Sequence, residues 1–205
     1  MFLEEFHRAL ITNGVQPLAA HKAKNIISEA SSRPSRHYHD LAHLDNLYAQ
    51  LLPVWDHLQD PNAVIFAIAY HDLVYNVRNT SNELRSADRA AEQLGSMGID
   101  PRTIERCAAH IRATAGHAPS EDPDTNLFTD ADLSILGASP EAYTRYAEQV
   151  RKEYCIYPDF LYNPGRRKVL AHFLAMPRIF KTAHFHYLLE DQARTNLREE
   201  LDRLG

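Results

Sequence analysis

No stretch of this 205-residue chain approaches the roughly 18 consecutive apolar residues of a membrane span. Its opening, MFLEEFHRAL, carries acidic side chains where a secretory signal would carry basic ones. These two absences predict a cytoplasmic protein with no membrane association. Cysteine is scarce: there are 2, Cys107 and Cys155, with no CxxC spacing. That excludes a framework of disulfides and a thiolate-rich metal site, and both are expected to be buried or semi-buried free thiols. An excess of positive charge is also missing. With 22 Lys+Arg against 27 Asp+Glu the net charge is -5, so no nucleic-acid partner is expected. A small anionic substrate remains compatible, because a local arginine cluster or a metal can hold one against the global sign. Internal repeats and low-complexity tracts are absent too.

What is present reads as helix. Apolar residues make up 44% and charged residues 24%, an ordinary globular mix. No run of alternating apolar and polar residues is framed by hairpin turns. Asp60-Pro61, Asp100-Pro101 and Ser139-Pro140 each set a capping residue before a proline suited to a first helical turn. Thr80 and Glu83 have capping-box spacing. Periodicity near 3.6 predicts helices over Phe2–Asn13, Leu18–Ala30, Tyr38–Leu52, Asn62–Tyr75, Glu83–Leu94, Arg102–Ala115, Pro140–Tyr154, Arg166–Ala175 and Leu188–Leu204. Loops are expected at 76–80 and over HAPSEDPDTNLFT. The fold should be all-α: one helical bundle domain over residues 1–205, with a core at about 36–155 and C-terminal helices packed on it. A homodimer is left open.

The chain holds 12 histidines, enough to make a metal site worth tracing. In AYHDLVYN, His71 and Asp72 stand side by side at the end of the apolar run AVIFAIA. Buried charge is costly unless it is paired or bound to a metal. Upstream, RHYHDLAHLDNL holds His39 and His43, which share one face if the segment is helical. Downstream, DADLSILG offers Asp130 and Asp132, and His110 and His117 flank the turn in AHIRATAGH. Imidazole with carboxylate suits a divalent Mn, Fe, Co, Ni or Zn, one or two per chain. Each piece has an ordinary structural alternative: a helix-edge histidine in a hydrogen bond, an aspartate at a cap.

The order H…HD…D in a helical chain resembles the HD-domain superfamily of metal-dependent phosphohydrolases. YHDLAHLDNL is similar to the YHN-x-x-H segment of the cyclic-nucleotide phosphodiesterases within it. AYHDLVYN, SNELRSADRAA, ATAGH, DADLSILG and VRKEY resemble a bacterial branch of predicted HD phosphohydrolases. The likeness runs from about Tyr38 to Asn196. It implies an HD-type helical fold and a metal on His43, His71, Asp72 and Asp132, with Asp132 preferred over Asp130 because Ala131-Asp132-Leu133 matches the family's triplet. It implies a general acid at His39. The chain departs from the phosphodiesterases in carrying Asp40 where they have Asn, so cyclic-nucleotide specificity is not implied.

Such a metal lowers the pKa of a coordinated water from about 16 to roughly 7 and stabilises a phosphoryl oxygen. Hydrolysis of a phosphomonoester or phosphodiester, a nucleotide among them, follows as the expected activity. Besides His39, the leaving-group proton has candidates in His117 and Glu83. His117 has a structural or surface role as its alternative, and Glu83 a capping box with Thr80. For the substrate phosphate, Arg85 and Arg112 lie nearest in sequence, while Arg36 and Arg166-Arg167-Lys168 are expected to be mostly solvated. Tyr75 is placed to meet a substrate base. Two rivals are weaker. HDLAH has the histidine spacing of a zinc-peptidase H-E-x-x-H, but its second residue is Asp and the reading leaves His71 and Asp72 unused. A non-catalytic, metal-containing nucleotide-binding or regulatory module fits the same residues.

Overall fold

The computed structural model describes residues 1–204. Among them ten α-helices and two 3-10 turns form, with no strand. The helices group into two compact units, the first ending at Thr129 and the second starting at Asp130. Among the described residues no helix is long and apolar enough to cross a membrane.

The first unit is built round α4 (Pro61–Tyr70). Asp60 caps it by accepting the Ala63 N–H at 3.0 Å, and Pro61 fits the first turn, whose amide needs no partner. Every residue from Ala63 to Tyr70 is buried, so this helix has no polar face. Around it pack α1 (Phe2–Thr12), α3 (Leu41–Leu51), α5 (Asn82–Ser96) and α6 (Pro101–Ala113), while α2 (Pro17–Ser31) lies on α1. Phe6 of α1 meets Phe66 and Tyr70 edge-on at 6.1 and 5.8 Å. Truncating a fully buried Phe66 would cost about 3–5 kcal/mol.

Several boundaries differ from the sequence expectation, each for a local reason. α3 starts at Leu41 rather than Tyr38, because Asp40 takes extended backbone and its carboxylate accepts the Ala42 and His43 N–H groups at 2.8 and 3.1 Å. The capping box at Thr80 and Glu83 does not form. α5 begins at Asn82 after Ser81, with no side-chain cap, and Asn82 instead bonds the Asn76 amide and carbonyl to tie the preceding loop. The last seven residues of the stretch expected as a loop, HAPSEDPDTNLFT, belong to α7 (Pro123–Asp132). Asp122 accepts the Asp124 N–H, and Asp124, fully buried, accepts the Gln59 and Asp60 amides and an Arg106 N–H. α7 is one continuous helix whose last turn, 130–132, is the first of the second unit.

That unit contains a 3-10 turn at Leu133–Gly137, then α8 (Pro140–Glu153), α9 (Asp159–Ala175) and α10 (Ala183–Arg203). Pro164 and Gly165 mask the start of α9 in the sequence; Pro164 lies inside the helix near its N-terminus. Arg166 is buried, contrary to its expected solvation, and forks onto Glu200 of α10 through Nε and Nη2 at 2.8 and 2.9 Å. The Tyr143 hydroxyl donates to the same carboxylate. Cys107 is buried as expected, whereas Cys155, in the turn that follows α8, is exposed.

Candidate metal centre

His71 stands at the C-cap of α4, where a helix with no polar face delivers it, 2% exposed, into the interior. Its Nδ1 lies 3.0 Å from the Ile68 carbonyl. A carbonyl only accepts, so that contact places the ring proton on Nδ1 and leaves Nε2 a bare lone pair. Facing it at 3.1 Å is Nε2 of His43, which α3 presents from its first turn and which is itself buried. Asp72 Oδ2 completes the cluster at 3.0 Å from His71 Nε2 and 3.8 Å from His43 Nε2. That oxygen is buried and accepts no hydrogen bond. Two imidazole nitrogens and a carboxylate oxygen thus converge with fewer protons than acceptors. A divalent cation resolves that crowding of lone pairs, and the donor set suits Mn, Fe, Co, Ni or Zn.

Asp132, the last residue of α7, supplies the third member of a group in which one ligand atom each from His43, His71 and Asp132 lie within 4.8 Å of one another. Asp72 flanks this trio. The fallback, Asp130, is fully buried and occupied: it accepts the Lys181 and Thr182 amides at 3.0 and 2.8 Å and the Thr182 hydroxyl at 2.7 Å. Burial alone would raise the Asp72 pKa, but His71, His39 and His43 outweigh it and hold the carboxyl well below its ordinary range.

His39 sits just outside α3, beyond the Asp40 cap, so it does not share a helical face with His43. The H-E-x-x-H arrangement therefore has no counterpart here. Its ring instead stacks on Tyr75 with centroids 4.4 Å apart and lies 5.7 Å from the His43 ring. Both residues are half-buried. Beneath Tyr75, at 5.3 Å, is the Arg36 guanidinium. Arg36 is 7% exposed and bonds the carbonyls of His39 at 3.1 Å, Asp72 at 2.5 Å and Leu73 at 3.2 Å. It pins the two ligand-bearing segments together. Its burial overturns the expectation of a solvated side chain, since main-chain acceptors leave no trace in the side-chain pattern.

Three other expected site residues make no polar side-chain contact with this cluster. Glu83 is half-exposed in the first turn of α5, and Arg85 and Arg112 are exposed; among the described residues none has a side-chain hydrogen bond or ion pair. His117 follows α6 with a positive φ of 50, a strained backbone for a residue with a Cβ. His110 is fully buried, shares a 2.7 Å hydrogen bond with the Thr125 hydroxyl, and burial lowers its pKa. Phe128 separates its ring from that of His71.

The fold and site define an all-helical protein with a buried His-His-Asp group able to hold a metal. No family model and no curated protein matches the chain.

Proposed function

We propose that the chain is a metal-dependent phosphohydrolase of HD type, acting on a phosphomonoester or phosphodiester, with His43, His71, Asp72 and Asp132 holding the ion. The observation that carries the reading is the 3.1 Å approach of two buried imidazole nitrogens, one with its proton held away by the Ile68 carbonyl, beside an unbonded Asp72 oxygen. A hydrogen bond between the two neutral rings would use one lone pair and leave the Asp72 oxygen without a donor. The order of these residues along the chain, and their likeness to the HD motif, supply the reaction class. A divalent ion there supplies an acidified water and a charge to stabilise phosphoryl oxygens.

The chain's own residues divide the remaining work. His39, half-exposed and stacked on Tyr75, delivers a proton to the departing oxygen. Tyr75 orients that imidazole and offers a face to the substrate's leaving group. Arg36 fixes the main chain of both ligand segments and so keeps the ligands preorganised. Arg85 and Arg112 face solvent, where they meet the phosphate from outside; Glu83 and His117 are the further proton carriers.

The test is metal analysis of the purified protein by plasma mass spectrometry beside His71→Ala/Asp72→Ala, followed by a phosphoester screen with the ion found. About one equivalent in the parent, little in the variant, and hydrolysis only in the parent are expected. Metal without turnover on any phosphoester would leave a regulatory or nucleotide-binding module. No metal after incubation with Mn, Fe, Co, Ni and Zn would end the reading.

A further inference from the structure

Between the end of α2 and the start of α3 lies an open cleft of about 350 Å³, at the small end of ligand sites. Ser31, Ser32, Arg33, Arg36 and Asp40 form its polar lining, and no aromatic ring lines it. Ser31, the last residue of α2, is 6% exposed, yet its hydroxyl bonds no group among the described residues, not even a carbonyl of its own helix. Arg33 is exposed, and among the described residues its guanidinium has no hydrogen bond or ion pair. Asp40 caps α3 through Oδ1 alone, which leaves Oδ2 an open acceptor. Unused donors and acceptors thus share one small space. A bare anion would meet the Asp40 charge, and a flat base would find no ring to stack on. Hydroxyls fit, since each gives one proton and accepts others. The cleft also adjoins the metal centre: the Asp40 carboxylate accepts the His43 amide at 3.1 Å, and the Arg36 guanidinium donates to the His39 carbonyl at 3.1 Å.

We infer that this cleft binds the polyhydroxylated leaving group of the substrate, with Ser31, Arg33 and Asp40 Oδ2 bonding its hydroxyls, so that the ester hydrolysed is one of a sugar or another polyol. The inference rests on the phosphohydrolase reading above and narrows its substrate class. Asp40 Oδ1 stays on the α3 amides throughout, so binding leaves the cap intact. Hydroxyls held in this way are bonded equally before and during reaction. Their contacts therefore lower KM and leave kcat unchanged. Each such hydrogen bond, when lost, weakens binding by about 2–10-fold.

The test measures hydrolysis of ribose and glucose carrying a terminal phosphate, beside n-pentyl phosphate, by the metal-loaded full chain. The sugar esters are expected to exceed the alkyl ester about 10-fold or more in kcat/KM. Ser31→Ala and Arg33→Ala should each raise KM for the sugar esters about 2–10-fold at unchanged kcat, and leave n-pentyl phosphate hydrolysis as in the parent. A merely structural role for either residue would move all three substrates together. An alkyl ester cleaved as well as the sugar esters, or an unmoved KM in either variant, overturns the inference and leaves the phosphohydrolase reading standing. A parent that cleaves other phosphoesters but neither sugar ester does the same. A parent inert towards every phosphoester overturns both.

Discussion

The Arg36 guanidinium holds the main-chain carbonyl of Asp72 at 2.5 Å, thirty-six residues away in the sequence. Hydrogen bonds to a charged donor contribute about 1.5–3 kcal/mol each, and a fork that reaches three carbonyls is not reproduced by an ammonium. Arg36→Lys should therefore melt several degrees below the parent and bind metal more weakly, although its charge is unchanged. Thermal melts and metal titration of the two proteins check this. Identical behaviour would mean that the clamp is incidental.

Asp40 gives a prediction of the opposite kind. Its carboxylate accepts two amides at the start of α3. Asp40→Ala should cost about 1 kcal/mol of stability, whereas Asp40→Asn, an equally good cap, should cost almost nothing. Phosphoester hydrolysis should survive in Asp40→Asn. Abolished turnover with an intact fold would give Asp40 a chemical role that its capping geometry does not suggest.

These two residues also mark how far the sequence could be read. Most helices stand close to where periodicity and capping dipeptides put them, because an apolar stripe and a cap are written locally, although α4 ends at Tyr70 rather than Tyr75 and α10 starts at Ala183 rather than Leu188. His43, His71 and Asp132 were legible for a similar reason: each borders an apolar run that carries it inward. α7 was not. Its first turns read as a polar loop because Asp122 and Asp124 are capping and anchoring residues whose partners, Gln59, Asp60 and Arg106, lie elsewhere in the chain. Arg36 and Arg166 read as solvated because long cationic side chains normally snorkel to water, and burial of the charged end depends on tertiary acceptors.

Acid should weaken the second unit through Glu200. Burial opposes its ionisation, but hydrogen bonds and charge from Arg166, with the Tyr143 hydroxyl, lower its pKa below the ordinary 4.5. A depressed carboxyl contributes stability that is complete above the unfolded value and is lost as pH falls through the folded one. Glu200→Gln strands the buried Arg166 and should cost about 3–5 kcal/mol at pH 7. The gap between parent and variant should narrow below pH 4.5, as the parent's own carboxyl takes up a proton. Urea midpoints at neutral and acidic pH measure both. A gap that does not change with pH would remove Glu200 from the acid response.

Two glycines should respond in opposite directions to the same substitution. A Cβ on Gly137 would stand 2.5 Å from Leu189 Cβ and 2.7 Å from the Leu189 carbonyl oxygen. Since main chain cannot rotate aside, Gly137→Ala should cost about 1–3 kcal/mol or more. Gly95 lies within α5 with nothing within 4 Å of its added Cβ, and Gly95→Ala should stabilise by up to about 1 kcal/mol. Equal melting temperatures for the two variants would contradict both assignments.

The unlike settings of the two cysteines turn the chain into its own unfolding clock. Cys155 is open to reagents and Cys107 is sealed within α6. A maleimide dye should tag Cys155 at once in the native protein and reach Cys107 only when the first unit opens. Counting the second dye by mass over time reads the frequency of that opening directly, with and without added metal. An ion gripped by His43 and His71 should lengthen the wait.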